Sequence, residues 1–208
     1  MKILLVNWMD PEHPDAGGAE RHLAEIFGRI ATTHRITLIS AGFKGGAAGA
    51  TIGGIRVIRV GGKYSFPLVA PRAVERLLAR ERFDLVVEDL NKIPIPLRTG
   101  DTPKMVLVHH LWGPVAFRAA NLPVALGTFL AERPIERLYR SAKLVAVSES
   151  TRAQLIGHGL DPSRIAVIRN AVAPSEPPLC DRSPDPLFVY VGRIQRYKRG
   201  DRMGTAAA

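Results

Sequence analysis

The chain is 208 residues long, with 29 Lys and Arg against 19 Asp and Glu, a formal charge of +10 and 46% hydrophobic residues. That length suffices for one α/β domain with a buried core but falls short of two such domains with a linker, and the composition excludes intrinsic disorder. A single cysteine, Cys180, excludes a disulfide framework and a thiolate metal cluster and fits a reducing cytosol.

In chain order, Lys2 to Trp8 reads as a buried strand, and beyond a loop Ala19, Leu23, Ile26, Phe27 and Ile30 recur at helical spacing as one apolar stripe. Arg35 to Ala41 and Ile55 to Val60 are further β-branched runs, with glycine turns at Gly45, Gly46, Gly53 and Gly54. Asp84 to Val87, Lys104 to His109, Leu144 to Ser148 and Ile165 to Ile168 complete the predicted strands, most of them separated by helical segments. Short apolar strands alternating with helices predict an α/β fold, a doubly wound parallel Rossmann-like sheet covered on both faces, over residues 1–170. Five prolines between residues 171 and 186 predict an exposed connector, and residues 187–208 begin again as strand and basic loop, in the manner of a second lobe.

Ligands of such sheets bind beyond the carboxyl ends of the strands, so the loops there are the places to seek chemistry. Gly17 and Gly18 directly precede the first helix, where backbone N–H groups and the helix dipole favour an anion; they serve either a phosphate or simply a tight turn. A dinucleotide is not expected, because there is no Gly-x-Gly-x-x-Gly turn and no acidic residue between Ile30 and Val60. His109 and His110 stand at the end of a strand, where neighbours point to opposite faces, so at most one faces a substrate, and either also reads as a structural histidine. Glu88 and Asp89 follow the preceding strand; Asp89 could offer its carboxylate to a substrate hydroxyl or to one of those histidines, or be an ordinary solvated loop edge. Ser148, Glu149 and Ser150 follow a later strand, and Thr151 with Gln154 fits a helix capping box, so the hydroxyls there read as caps. Arg193 and Lys198, in GRIQRYKRG, place a guanidinium and an ammonium on one loop, a pairing suited to a diphosphate and equally found in plain basic loops. With no Cys/His cluster, no HExxH and no Gly-x-Ser-x-Gly, metallohydrolase and esterase chemistry are excluded.

The positive charge alone would suit nucleic acid, anionic lipid or a phosphorylated small molecule. Arg72, Arg76, Arg80, Arg137 and Arg140 are scattered through predicted helices rather than gathered with aromatics, so nucleic acid is not expected as a partner. The run Ile3 to Val6 is too short for a signal-peptide core and no stretch approaches a membrane span, so the expectation is a cytoplasmic protein whose membrane contact is peripheral.

Taken in order, MKILLVNWMDPEHPDAGGAERHLAEI, FDLVVED, MVLVHHLWG, KLVAVSESTRAQLI, RIAVIRNAV and FVYVGRIQRYKRGD resemble the retaining glycosyltransferases of the two-lobed GT-B fold, family-four type. The resemblance covers the chain to Asp201 and implies transfer of a sugar from a nucleotide-diphosphate donor to a glycan or lipid-linked acceptor, in polysaccharide biosynthesis, without a cofactor or metal. It implies that His109 is the catalytic contact to the transferred sugar or acceptor, and that Gly17, Gly18, Arg193 and Lys198 hold the donor diphosphate. Asp89, His110 and Glu149 are its acceptor-side candidates, and docking on an anionic inner membrane face fits lipid-linked acceptors. The donor lobe of that family continues for a full domain and carries a paired-glutamate motif, whereas RMGTAAA departs from the pattern; the chain is expected to be truncated and inactive alone. The alternatives are a non-catalytic acceptor-binding module or partner of a separate donor-lobe chain, and a sugar-nucleotide epimerase of the same fold.

Overall fold

A computed structural model describes residues 1–171 together with 184 and 185. The apolar run behind Lys2 forms β1 (Lys2–Asn7), and the amphipathic stripe that follows forms α1 (Gly18–Ile30), with Leu23 and Phe27 buried. Then come β2 (Arg35–Gly42), β3 (Gly49–Ile52), β4 (Ile55–Gly62), α2 (Phe66–Arg80), β5 (Leu85–Leu90) and β6 (Lys104–Val108). A 3-10 turn at Gly113–Val115, the short α3 (Ala116–Ala119), α4 (Leu122–Glu132) and α5 (Ile135–Tyr139) lead to β7 (Lys143–Ala146), α6 (Glu149–Gly157) and β8 (Ile165–Val167).

These eight strands form one sheet in the order β3-β4-β2-β1-β5-β6-β7-β8, parallel throughout except for β3. The expected Rossmann-like sheet is therefore present, with one antiparallel edge strand added. Gly53 and Gly54 both take positive φ, 54° and 79°, and so build the two-residue hairpin that turns β3 back onto β4.

Strand alternation divides the core. Ile3, Leu5, Leu38 and Val87 pack under Leu23 and Phe27 of α1. On the opposite face Leu4, Val6, Ile39 and Val86 meet Phe66, Ala70 and Val74 of α2. Further along, Val106, Val108, Leu144 and Ala146 meet Ile135, Tyr139 and Leu155. Each large apolar side chain removed from water this completely contributes roughly 1.5–3 kcal/mol, so burial on both faces accounts for the near-continuous apolar strands. Met1–Leu111 and Leu130–Asn170 make up this compact unit, and Trp112–Phe129 falls outside it.

The strand boundaries move in one informative place. Asp84 to Val87 was the expected strand, whereas β5 runs from Leu85 to Leu90 and takes in Glu88 and Asp89. Both carboxylates are buried, not solvated at a loop edge, because each has a basic group on or just beyond the neighbouring strand: Lys104 Nζ lies 2.8 Å from Glu88 and His109 Nε2 lies 2.8 Å from Asp89. The connector and second-lobe expectations, Cys180, Arg193 and Lys198 lie outside the described residues.

Candidate active site at the carboxyl edge of β1, β5 and β6

The parallel register sets Asn7 at the end of β1 against Asp89, and Asp89 against Leu107 on β6, so the next residues of the chain emerge at one edge of the sheet. His109 stands one residue past β6, its N–H bonded to the Leu90 carbonyl at 3.1 Å. Side chains at alternate positions bring Asp89 and His109 to the face covered by α1, the face of Val87 and Met105. His109 Nε2 then lies 2.8 Å from Asp89 Oδ1, with the two side chains 9% and 1% exposed. The contact is close but bent away from the N–H direction, so neither atom counts as well paired. Catalytic contacts of this kind often straighten only when a ligand is bound.

Burial drives the Asp89 carboxyl above its ordinary range, and the neighbouring His109 offsets this only in part. His22, on α1, meets the His109 ring edge to face at 5.3 Å between centroids. Burial, and then the nearby His109, push the His22 imidazole below its ordinary value, which keeps it neutral at physiological pH.

The start of α1 faces the same edge. Gly17 is its N-cap, and the Gly17 N–H donates to Glu20 Oε2 at 2.7 Å, so the helix end already carries an internal carboxylate. Glu20 is itself buried, and its Oε1 accepts from Asn91 Nδ2 at 2.9 Å, which also donates to Asn7 Oδ1 at 2.9 Å. A Cβ at Gly18 would meet nothing within 4 Å. Packing therefore does not require glycine there.

The loop between β1 and α1 is fastened from the far side. Arg59 on β4 donates through Nε and Nη2 to Asp10 at 2.8 and 3.0 Å, and through Nη2 to Glu12 at 2.7 Å, while the Ser40 hydroxyl donates to Asp10 at 3.0 Å. Burial alone would raise the Asp10 carboxyl, but Arg59, the Glu12 N–H and Ser40 outweigh it and hold it below the ordinary range. A two-pronged guanidinium–carboxylate pair fixes geometry as well as charge, so the approach to Gly17 is a rigid one.

The remaining candidates are placed less closely. His110 is exposed. Glu149 is the first residue of α6 and is exposed, while Thr151 two residues on donates its hydroxyl to the His109 carbonyl at 3.3 Å. The α6 cap is Ser148, whose Oγ accepts from the Thr151 N–H, so Thr151 does not begin the helix as the capping-box reading with Gln154 expected. Ser148 wins because β7 stops at Ala146 and leaves it extended in front of the first turn.

The model of Glycosyltransferase Family 4 matches residues 16–176 of this chain, more than half of it. The chain belongs to glycosyltransferase family 4. Among solved structures, the HepE protein of Anabaena in complex with UDP-glucose superposes with a TM-score of 0.50 at 18% identity, covering 83% of this chain and 44% of that one. The α,α-trehalose 6-phosphate synthase of Burkholderia multivorans gives a TM-score of 0.46 at 11% identity, covering 76% and 41% of the two chains. The likeness to HepE shows a shared fold, and the chain spans 44% of the HepE length. A comparison with curated proteins finds no match.

Within this family-four domain, sequence reasoning missed Glu20, His22, Asn7 and Asn91. Glu20 carried a signal, an acid three residues after a glycine that opens a helix. His22 carried none, since a single histidine beside an apolar stripe has no period of its own.

Proposed function

We propose that this chain is the acceptor-side lobe of a retaining glycosyltransferase that moves a sugar from a nucleotide-diphosphate donor to a glycan or lipid-linked acceptor. The observation that carries this reading is the close Asp89–His109 pair at the carboxyl edge of the sheet, facing the α1 amino end, in a family-four domain. His109 contacts the transferred sugar or the acceptor, and the backbone at Gly17 and Gly18 approaches the donor diphosphate. Arg193 and Lys198 neutralise the charge that gathers on the leaving nucleoside diphosphate as the glycosidic bond to phosphate breaks. The acceptor hydroxyl attacks from the face the phosphate leaves, which retains the anomeric configuration without an enzyme nucleophile. His110 and Glu149 border the acceptor path.

A lipid-linked acceptor, and docking on an anionic membrane face, are favoured by one specific observation. Val115, Phe117, Leu122, Val124, Leu126 and Leu130 are all large, apolar and exposed within the stretch that holds α3 and α4, in a chain of charge +10. Among the described residues no helix is long and apolar enough to cross a membrane.

The protein is tested with a panel of nucleotide sugars, UDP-glucose first because the HepE structure holds it. Acceptors are supplied free or in anionic vesicles that are then floated on a density gradient. Transfer to an acceptor with the donor's anomeric configuration, made by the chain joined to a family-four donor lobe and lost in His109→Ala, is the expected result. Absence of both donor binding and transfer across the panel in that joined protein overturns the enzyme reading. Protein that stays at the bottom of the gradient at low salt overturns the membrane contact.

A further inference from the structure

Among the described residues, six buried side-chain atoms lack a directed hydrogen bond, and five of them belong to the α1-side edge: His22 Nδ1, Asp89 Oδ1 and Oδ2, Asn91 Oδ1 and His109 Nε2. The sixth, Glu88 Oε2, still has the Lys104 ammonium at 2.8 Å. Buried polar atoms in folded proteins are paired almost everywhere, and two of these five, Asp89 Oδ1 and His109 Nε2, stand 2.8 Å from each other.

Asp89 is buried too deeply to meet a sugar directly, with a side chain 1% exposed. The charged or titratable groups that act on it are His109, just past β6, and Glu20 and His22 on α1. Of these only His109 stands within bonding distance, at 2.8 Å. An ionised carboxylate has only acceptors to offer, so a neutral imidazole beside it must present an N–H from the near nitrogen, and its far nitrogen becomes the acceptor. The His22 ring, set edge to face against the same imidazole, limits how that ring can tilt.

We infer that Asp89 is a positioning residue for His109: it fixes the neutral imidazole as the Nε2–H tautomer against His22 and leaves Nδ1 as the ring's hydrogen-bond acceptor. The acceptor-side place given to Asp89 by resemblance thereby becomes an indirect one, exercised through His109. The inference rests on reading His109 as the working residue of the proposed transfer, but the test below needs no transfer at all.

The full chain is labelled with ¹⁵N and the long-range ¹H–¹⁵N correlations of its six imidazoles are recorded near neutral pH. The His109 signals are assigned by their loss in His109→Gln. In the wild type, Nε2 is expected at the shift of a protonated nitrogen and Nδ1 at that of a bare one. In Asp89→Leu, with the same branched skeleton but no acceptor, the His109 signals move toward a mixture of tautomers while those of half-buried His158 stay in place. A merely structural role for Asp89 would not move a tautomer. Wild-type His109 with its proton on Nδ1, the pattern of a protonated Asp89 donating to a bare Nε2, overturns the inference, as does an unchanged tautomer in a folded Asp89→Leu. If Asp89→Leu does not fold, the wild-type tautomer decides alone. A protein that transfers no sugar but shows the Nε2–H form keeps the positioning role and loses only the enzyme reading.

Discussion

Glu88 and Asp89 are consecutive on β5, equally buried, and point to opposite faces of the sheet. Glu88 is surrounded by partners: the Tyr139 hydroxyl and the Ile95 N–H donate to Oε1, and the Lys104 ammonium sits at 2.8 Å from Oε2, over the Tyr139 ring. Asp89, one residue on, has a single bent contact with His109. The same chemical group at the same depth is thus held by three groups on one face and by one on the other. Burying a carboxylate costs several kcal/mol unless it is paired and hydrogen-bonded. The Glu88 side offsets that cost locally, and the Asp89 side leaves it to the rest of the fold. Under the proposed function the less firmly held carboxylate serves the site, and its neighbour serves the architecture.

The largest test of this contrast is Glu88→Ala. It leaves the Lys104 ammonium, the Tyr139 hydroxyl and the Ile95 N–H facing an empty place inside the protein. Loss of one partner from a buried charged pair costs about 3–5 kcal/mol, so the midpoint of denaturant unfolding should fall steeply. An unfolding midpoint within error of the wild type would break the distinction between the two carboxylates.

Asp89→Asn should behave in the opposite way. Because burial raises the Asp89 carboxyl in the folded protein above its value in the unfolded chain, the folded form holds its proton more tightly. That contribution to stability is complete at pH values below the unfolded carboxylate range and is lost as pH rises through the folded value. Asparagine has no such loss. The variant is expected to gain on the wild type steadily from acid to neutral pH, by roughly 0.5–2 kcal/mol, the usual exchange between stability and an under-satisfied functional group. Denaturant unfolding of both proteins across that range reads it directly, and a variant less stable at neutral pH than at acid pH, relative to the wild type, would show that Asp89 is structural after all.

The same two residues explain what sequence could and could not convey. Apolar runs such as Ile3–Val6 and Val106–Val108 announced strands buried on both faces, and from them the doubly wound sheet and the position of His109 at its edge followed. Glu88 and Asp89 broke such a run, and the partners that let β5 continue through them, Lys104, His109 and Tyr139, lie 15 or more residues away along the chain. Arg59 and Asp10 are likewise 49 residues apart, and nothing local marks either as the other's partner. The strand β3 was illegible for another reason: GATI offers too little apolar bulk to signal a strand, and it pairs only as the outer arm of a hairpin built by Gly53 and Gly54.

The smallest expected effect tests whether the glycines before α1 serve architecture or a ligand. A Cβ at Gly18 meets no atom within 4 Å and the position opens a regular helix, so Gly18→Ala should stabilise the protein by about 0.4–1 kcal/mol through the unfolded chain alone. If the backbone there is kept bare so that a donor diphosphate can approach, the same methyl group that stabilises the helix should weaken binding of UDP-glucose, measured by calorimetry. Stability and binding would then move in opposite directions at Gly18, as stability and function are expected to do at Asp89. An alanine that raises stability and leaves binding unchanged would return the glycine pair to the tight-turn reading, and confine the contrast between saturated and unsaturated groups to β5.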